Sequence, residues 1–228
     1  MTVDAAIDAP SPNHDARPPG QRIELLVLHY TGMPTGAAAL DRLRDPSAGV
    51  SAHWLVEEDG RVFRLVPEDR RAWHAGVSQW QGRGDVNGRS VGVEVVNPGH
   101  EFGYRPFPNE QMAAVETLCR AIMDRHGLGP AAVLGHSDVA PTRKTDPGEM
   151  FDWPRLARAG VGLWPDIDET APPPPEAESL AALTAIGYDT ADPRAAVVAF
   201  QRRYRPSWFD GRIDPPTARR IQAVRTAS

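Results

Sequence analysis

The sequence predicts an α/β fold in which a mixed central β-sheet is flanked by helices, followed by a small all-α domain of three helices. Strand-like and helix-like segments alternate through residues 22–168, the pattern of helices packed on a sheet. The nearly continuous apolar run over 23–31 is typical of a central strand that is buried on both faces. Three helical segments follow a proline-rich stretch at 171–175, which indicates a stiff linker and a second domain.

Turn and cap residues define the other elements of the first domain. Asp59-Gly60 is a strong hairpin turn signal. Asn109 is expected to cap a long helix, and Gly127 is expected to end it. In chain order we expect a helix over 36–44, a β-hairpin over 53–66, a loop over 76–89, a strand over 90–96, a helix over 109–126 and a short strand over 133–136.

These elements suggest a division of the chain into four parts. We expect a polar arm lying on the surface over 1–21, the α/β domain over 22–168, a linker over 169–176 and the three-helix domain over 177–228. The helices of the last part are predicted at 176–186, 193–204 and 215–225.

Composition excludes several classes of function. The chain has 228 residues, 41% of them hydrophobic, and a net charge of −5 without any basic block, so no nucleic-acid partner is expected. No segment approaches the roughly 20 apolar residues of a membrane helix, and the first residues lack the features of a signal peptide. The single cysteine, Cys119, falls on an amphipathic helical pattern and is expected to be a buried thiol. A cytoplasmic protein with no membrane contact is therefore expected.

Two histidines and one aspartate are placed where a metal site is expected. His29 ends the first predicted strand, His136 follows another strand, and Asp146 lies ten residues further on. Open α/β sheets bind their ligands at strand ends. Two imidazoles and one carboxylate suit Zn²⁺ and leave the fourth tetrahedral position for water. Taken singly, each histidine is more commonly a structural hydrogen-bonding residue, and the spacing alone does not decide between the two.

Glu94 and Lys144 are candidate catalytic residues. On the predicted strand, Glu94 shares its face with Gly92, which has no side chain, so the carboxylate can act as a general base. The alternative is an edge-strand glutamate that faces solvent. Lys144 is the only lysine among 25 basic residues and lies two positions before Asp146, so both side chains fall on one side of an extended loop. Its ammonium can then stabilise an oxyanion; the alternative is a solvated loop lysine.

The segment 88–92 matches the G-x-S-x-G pattern of serine hydrolases. That motif requires a strand before the serine and a helix after it. Here a loop precedes Ser90 and a β-pattern follows, so a serine nucleophile is disfavoured.

Seven segments in order resemble the amidase_2 family of N-acetylmuramoyl-L-alanine amidases, and within it the bacterial anhydro-muropeptide amidases. The resemblance runs over about 11–168. It is carried by SPNH at 11–14, VLHYT at 27–31, SAHW at 51–54, AWHAG at 72–76, SVGVE at 90–94, GHSD at 135–138 and RKTDPG at 143–148.

The resemblance implies that His29, His136 and Asp146 bind Zn²⁺. It implies Glu94 as the catalytic carboxylate and Lys144 as the residue that stabilises the tetrahedral intermediate. The implied reaction is hydrolysis of the amide between (1,6-anhydro-)N-acetylmuramic acid and L-alanine in peptidoglycan fragments. Since no export signal is expected, the implied role is cell-wall recycling, with muropeptides as the substrate.

Several residues near these motifs are candidates for binding the substrate. Aromatic rings and imidazoles can contact sugar or peptide, and arginines bind the stem-peptide carboxylates in a bidentate manner. The candidates are Tyr30, Trp73, His74, Arg83, Arg89 and Arg143. The three-helix segment resembles a peptidoglycan-binding domain.

Two rival functions stay open at this point. One is a peptidoglycan-recognition protein that keeps the fold but only binds; such a protein is expected to lack part of the ligand set. The other is a zinc peptidase that cuts within the stem peptide, which sequence does not separate from an amidase. The sequence does not identify a protein partner.

Overall fold

A computed structural model describes residues 6–228. The strands are β1 (Ile7–Asp8), β2 (His14–Ala16), β3 (Leu25–Tyr30), β4 (Trp54–Val56), β5 (Val62–Arg64), β6 (Arg70–Ala72), β7 (Ser90–Val95) and β8 (Val133–Gly135). The helices are α1 (Gly36–Arg44), α2 (Val86–Arg89), α3 (Gly99–Phe102), α4 (Asn109–His126), α5 (His136–Val139), α6 (Trp153–Arg158), α7 (Glu176–Ile186), α8 (Pro193–Tyr204) and α9 (Pro215–Ala227).

The main sheet has six strands in the order β1-β5-β4-β7-β3-β8. Strand β3 pairs in parallel with both β7 and β8, and β4 pairs in parallel with β7. Strands β4 and β5 form the antiparallel hairpin whose turn contains Gly60 at a φ of +84°. The predicted mixed sheet flanked by helices is therefore confirmed.

The first four residues of strand β3 are apolar, and both faces of the strand are covered. Leu26 and Leu28 point into a core formed with β7 and α4. Leu25 and Val27 point to the opposite side, into a core that includes residues of α7, α8 and α9. The run of apolar residues follows from this double burial, and it places the end of β3 in the middle of the molecule.

The N-terminus of α4 differs from the prediction. Asn109 is the first residue of the helix, and Pro108 occupies the cap position without a side-chain hydrogen bond. The fixed φ of proline suits this position, and the Asn109 Oδ1 atom accepts instead from Arg155 at 3.2 Å. Gly127 ends the helix in the left-handed conformation, as predicted.

The N-terminal segment is more than the predicted surface arm. Residues 7–8 pair with β5, and residues 14–16 pair with β6, while residues 1–5 lie outside the described part. Ser11 and Asn13 are buried, and the Asn13 amide donates to the carbonyls of Asp45 and Val50 at 2.8 Å. The polar side chains that suggested a solvated arm bond backbone groups of the main domain.

Arg17 fastens this segment to the sheet. Its guanidinium donates at 2.8–3.2 Å to four backbone carbonyls, those of Glu68, Asn87, Gly88 and Ser90. Burial lowers the Arg17 pKa from 12.5 to about 10, and the nearby carboxylates oppose that shift.

The three C-terminal helices share a core with the sheet. Leu134 and Val139 pack in the same cluster as Leu183, Val197 and Phe200. The proline-rich linker therefore connects two parts that are in close contact. No helix within residues 6–228 combines the length and the apolarity needed to cross a membrane.

We expect Arg17→Met to lower the free energy of unfolding by about 1.5–3 kcal/mol, because buried carbonyls lose a charged donor. Urea denaturation measures the change. The matched control is Arg22→Met, on an exposed arginine of the same segment, which we expect to shift stability by less than about 0.5 kcal/mol. Equal effects of the two substitutions would show that the segment is not fastened in this way.

Candidate metal centre

Parallel strands bring the predicted site residues to one edge of the sheet. His29 lies near the end of β3, His136 directly follows β8, and Glu94 lies opposite His29 in the register of β7. Asp146 reaches the same point from the loop after α5, where its backbone carbonyl accepts from the Ser137 amide at 2.9 Å. The carboxyl edge of the parallel strands therefore carries the candidate site.

Three ligand atoms converge there. His29 Nδ1 lies 2.9 Å from His136 Nδ1 and 3.1 Å from Asp146 Oδ2, and the third side of the triangle, from His136 Nδ1 to Asp146 Oδ2, is 3.0 Å. All three residues are buried, and they form a group that can hold a metal ion. Ligands of a tetrahedral zinc ion lie about 3.3 Å apart, given Zn–N and Zn–O bonds of about 2.0–2.1 Å.

The hydrogen bond of His136 Nε2 determines which ring nitrogen of His136 carries the lone pair. His136 Nε2 lies 3.1 Å from the carbonyl oxygen of Ala75, which can only accept, so Nε2 carries the proton. Arg143 donates to the same carbonyl at 3.0 Å and to that of Val77. In neutral His136 the lone pair is therefore on Nδ1 and faces the triangle.

A longer chain of hydrogen bonds determines the tautomer of His29. The Ser90 hydroxyl donates its one proton to the Val86 carbonyl at 2.6 Å, so His74 Nε2 must donate to Ser90 Oγ at 3.1 Å. His74 Nδ1 is then an acceptor, and His29 Nε2 donates to it at 3.0 Å. The His29 lone pair is left on Nδ1, which also faces the triangle. This series of hydrogen bonds requires glycine at position 92, because a Cβ atom on residue 92 would overlap the His74 ring.

The protonation equilibria agree with this assignment. Burial and the neighbouring His136 lower the His29 pKa to about 4, and burial together with His29 lowers the His74 pKa well below 6.5. Burial raises the pKa of Asp146, but His136 and the hydrogen bonds outweigh burial and hold it below its ordinary value. A neutral His29 and an ionised Asp146 are the forms that bind a divalent cation.

Glu94 is beside the triangle and lacks a partner of its own. Its Oε2 atom is buried and makes no hydrogen bond within the described chain. Burial and the nearby Asp146 raise the Glu94 pKa well above 4.5, while Lys144 opposes the rise. A carboxyl group without a partner in the protein is free to exchange a proton with a molecule bound in the cleft.

The site opens into a cleft of about 470 Å³. Lys144 lies on its wall, and its ammonium makes no ion pair or hydrogen bond to any residue from 6 to 228. Other residues that line the cleft are Tyr30, Thr31, Met33, Arg42, Leu43, Val50, Ser51, Trp73, His74, Arg143 and Thr145.

Two of the predicted substrate-binding arginines do not reach this cleft. Arg89 is buried, donates to the Trp80 and Arg83 carbonyls at 2.7 and 3.0 Å, and pairs with Glu24 at 3.2 Å. Arg83 pairs with the same carboxylate at 2.7 Å. The structure therefore does not bring Arg83 and Arg89 to the cleft, because the segment that carries them faces the start of β3 rather than its end.

The other predicted substrate-binding residues line the cleft in different ways. Tyr30 is half-buried, with its hydroxyl 3.0 Å from Thr145 Oγ1, and Trp73 is also half-buried. Both ring nitrogens of His74 are used within the protein, so it contributes to the site through His29. Arg42, in the last turn of α1, lines the cleft and was missed, since only the tertiary packing of α1 places it there.

Comparison with known proteins gives one family. The family model described as N-acetylmuramoyl-L-alanine amidase, Amidase_2, matches residues 19–149. The amidase AmiD of Escherichia coli K12 is 35% identical over 230 residues, which covers 89% of this chain and 82% of AmiD. The 1,6-anhydro-N-acetylmuramyl-L-alanine amidase AmpD of the same strain is 40% identical over 164 residues, which covers 64% of this chain and 87% of AmpD.

Solved structures agree with the sequence matches. AmiD from E. coli in complex with the substrate anhydro-N-acetylmuramic acid-L-Ala-D-γ-Glu-L-Lys superposes with a TM-score of 0.81 at 35% identity, covering 93% of this chain and 91% of that chain. AMPDH3 from Pseudomonas aeruginosa in complex with anhydromuramic pentapeptide gives a TM-score of 0.82 at 34% identity, covering 92% and 94%. With its fold, its ligand triangle and these matches, the chain belongs to the Amidase_2 family of N-acetylmuramoyl-L-alanine amidases.

Proposed function

We propose that this enzyme uses Zn²⁺ held by His29, His136 and Asp146 to hydrolyse the amide between 1,6-anhydro-N-acetylmuramic acid and L-alanine. The observation that carries the proposal is the triangle of three ligand atoms, with sides of 2.9–3.1 Å, that lines an open cleft. Two nitrogen ligands and one oxygen ligand match the donor set of catalytic zinc sites, which keep one position open.

A bound zinc ion supplies a Lewis acid that polarises the amide carbonyl and lowers the pKa of water. That contribution matters because a neutral amide is a poor electrophile. The hydrogen bonds from His136 to Ala75 and from His29 to His74 keep both imidazoles in the tautomer that binds a cation.

Glu94 then transfers the protons, and Lys144 stabilises the negative charge that develops. The Glu94 carboxylate takes a proton from the attacking water, whose oxygen forms a bond to the lactyl carbonyl carbon. The Lys144 ammonium donates a hydrogen bond to the carbonyl oxygen as negative charge develops on it. When the C–N bond breaks, Glu94 returns the proton to the nitrogen of L-alanine, which leaves as a free amine.

The proposed substrate is a soluble muropeptide with an anhydro sugar. Two similar proteins are solved with ligands of that kind, an anhydromuramoyl tripeptide and an anhydromuramic pentapeptide. The cleft here is lined by three cationic side chains, Arg42, Arg143 and Lys144, which suits the carboxylates of a stem peptide. A cytoplasmic location stays a prediction of the sequence, which cell fractionation would test.

Mass spectrometry of the products tests the reaction. With a defined anhydro-muropeptide and Zn²⁺, we expect the anhydro sugar acid and an intact peptide with a free L-alanine amine, and no products after removal of zinc by a chelator. Shortened peptides still attached to sugar would identify a peptidase instead. Zinc binding without any product would identify a recognition protein, and a clear preference for intact sacculus would contradict the proposed substrate.

Substitution of Glu94 and Lys144 tests their roles in the reaction separately from metal binding. We expect Glu94→Gln to lower kcat by about 10²–10⁴-fold, as for loss of a general base. We expect Lys144→Met to lower it by about 10²–10³-fold, as for loss of an oxyanion donor. Both variants should retain one zinc ion per chain by elemental analysis.

Glu178→Gln, on an exposed glutamate of α7, is the matched control for Glu94→Gln. A Glu94→Gln protein as active as this control would exclude the proposed role of Glu94.

The raised pKa of Glu94 predicts a pH-dependent stability difference in metal-free protein. Above about pH 4.5 the unfolded chain releases this proton while the folded protein keeps it. The free energy of unfolding of the parent protein therefore falls, by up to about 1.4 kcal/mol per pH unit, until pH exceeds the folded pKa. The Glu94→Gln protein has no proton to release at this position, so its free energy of unfolding should rise progressively above that of the parent as pH rises. Urea denaturation in EDTA measures this, and a difference that is constant between pH 4 and 8 would contradict it.

A further inference from the structure

We propose that the C-terminal helical domain is a positioning element of the metal site. Its consecutive residues Arg202 and Arg203 hold the two ends of the segment 136–149, which carries His136 and Asp146. This inference rests on the proposed function only because it takes His136 and Asp146 as metal ligands. It gives the domain a role in catalysis whether or not the domain also binds peptidoglycan.

The first contact is at Asp138, two residues after His136. Its Oδ2 atom accepts from Arg203 at 2.6 Å and from the Gly135 amide at 2.8 Å, and its Oδ1 atom accepts from the Tyr188 hydroxyl at 2.6 Å. Only the Gly135 donor is local. The other two donors belong to α8 and to the turn after α7, so the C-terminal domain supplies most of the partners of this carboxylate.

Asp138 and Arg203 are both buried, with 0% and 4% of their surfaces exposed. A buried carboxylate whose counter-charge is removed is strongly unfavourable, so the Arg203 charge stabilises α5 in this position. The Arg203 guanidinium also stacks on Trp153, 3.9 Å from the ring centroid. That ring is next to Gly135, where a Cβ atom would meet it at 3.4 Å. Arg203 therefore contacts the carboxylate after His136 directly, and it contacts the Trp153 ring that lies beside the backbone before His136.

The second contact is at Glu149, three residues after Asp146. Arg202 donates to Glu149 Oε2 at 2.6 Å, and His100 Nε2 lies 3.2 Å from both carboxylate oxygens. His100 Nδ1 is 3.0 Å from the Tyr30 hydroxyl, on the residue that follows His29. Arg202 thereby links α8 to the rim of the cleft on the side of β3.

The segment between these contacts has little regular structure to hold it. Helix α5 is four residues long, and residues 140–148 form turns without a helix or strand. Its internal backbone bonds include Ser137 N to Asp146 O at 2.9 Å and Ala140 N to His136 O at 3.0 Å. Because successive residues of a helix project about 100° apart, Arg202 and Arg203 can reach opposite ends of the segment from one point on α8.

The test compares Arg203→Met with Arg205→Met in the full-length protein. Arg205 follows the last residue of the same helix and pairs with Asp214 at 2.7 Å within the C-terminal domain, so its substitution breaks a more exposed ion pair away from the segment 136–149. The readouts are the zinc dissociation constant, from competition with a chelator, and hydrogen exchange of the Ser137 and Ala140 amides in metal-free protein. Thermal unfolding monitors overall stability.

We expect Arg203→Met to weaken zinc binding by about 10–100-fold, the range for loss of an outer-shell partner, and to increase exchange at both amides. Arg205→Met should leave the zinc dissociation constant and the exchange rates of both amides within threefold of the parent values. Arg203→Lys, which keeps the charge, should recover most of the zinc affinity. If Arg203→Met does not fold, Tyr188→Phe removes one donor to Asp138 and should weaken zinc binding by about threefold or more.

Parent-like zinc affinity and exchange in a folded Arg203→Met protein would overturn the inference. So would equal losses in Arg203→Met and Arg205→Met, since they would indicate general destabilisation. If the parent protein bound no zinc, the proposed function would fail, yet the exchange comparison would still decide whether α8 positions the segment.

Discussion

The structure depends on one electrostatic constraint: the ligand atoms of His29, His136 and Asp146 are buried within 3.1 Å of one another. Neutral imidazoles and a carboxylate repel in this arrangement unless a cation lies between them. The surrounding contacts oppose that repulsion by fixing each group from outside. Ala75 accepts from His136, and His74 accepts from His29, so neither ring can rotate without losing a buried hydrogen bond.

Three of the predicted site residues, His29, Glu94 and His136, have positions that follow from strand geometry, whereas Asp146 and Lys144 lie on a loop and were predicted from the motif at 143–148. His29 and His136 end parallel neighbours, and such ends meet at one edge of a sheet. Alternation along β7 aims Glu94 away from the core face that carries Val91, Val93 and Val95. For these residues, knowledge of the element and of its direction was sufficient to place the side chain near the site.

Prediction failed where placement depends on how loops and helices pack. Arg83 and Arg89 are close in sequence to Glu94, but Glu24 draws both toward the opposite end of β3. Arg42 reaches the cleft only because of the way α1 packs beside the sheet. The contacts of the N-terminal segment could not be predicted for a related reason: polar composition indicates a surface segment, but it does not show which of its side chains bond the backbone of the domain beneath it.

The packing of the C-terminal helices against β3 explains how the site can tolerate unfavourable groups. A partnerless Glu94 oxygen and three converging ligand atoms each cost stability in the metal-free protein. Such costs are sustained when the surrounding structure holds the groups in place. Here one apolar cluster joins Leu25 and Val27 of the central strand to Phe200 and Ile221 of the C-terminal helices. A domain that covers the back of the central strand thus stabilises, through that strand, the front edge where catalysis is proposed to occur.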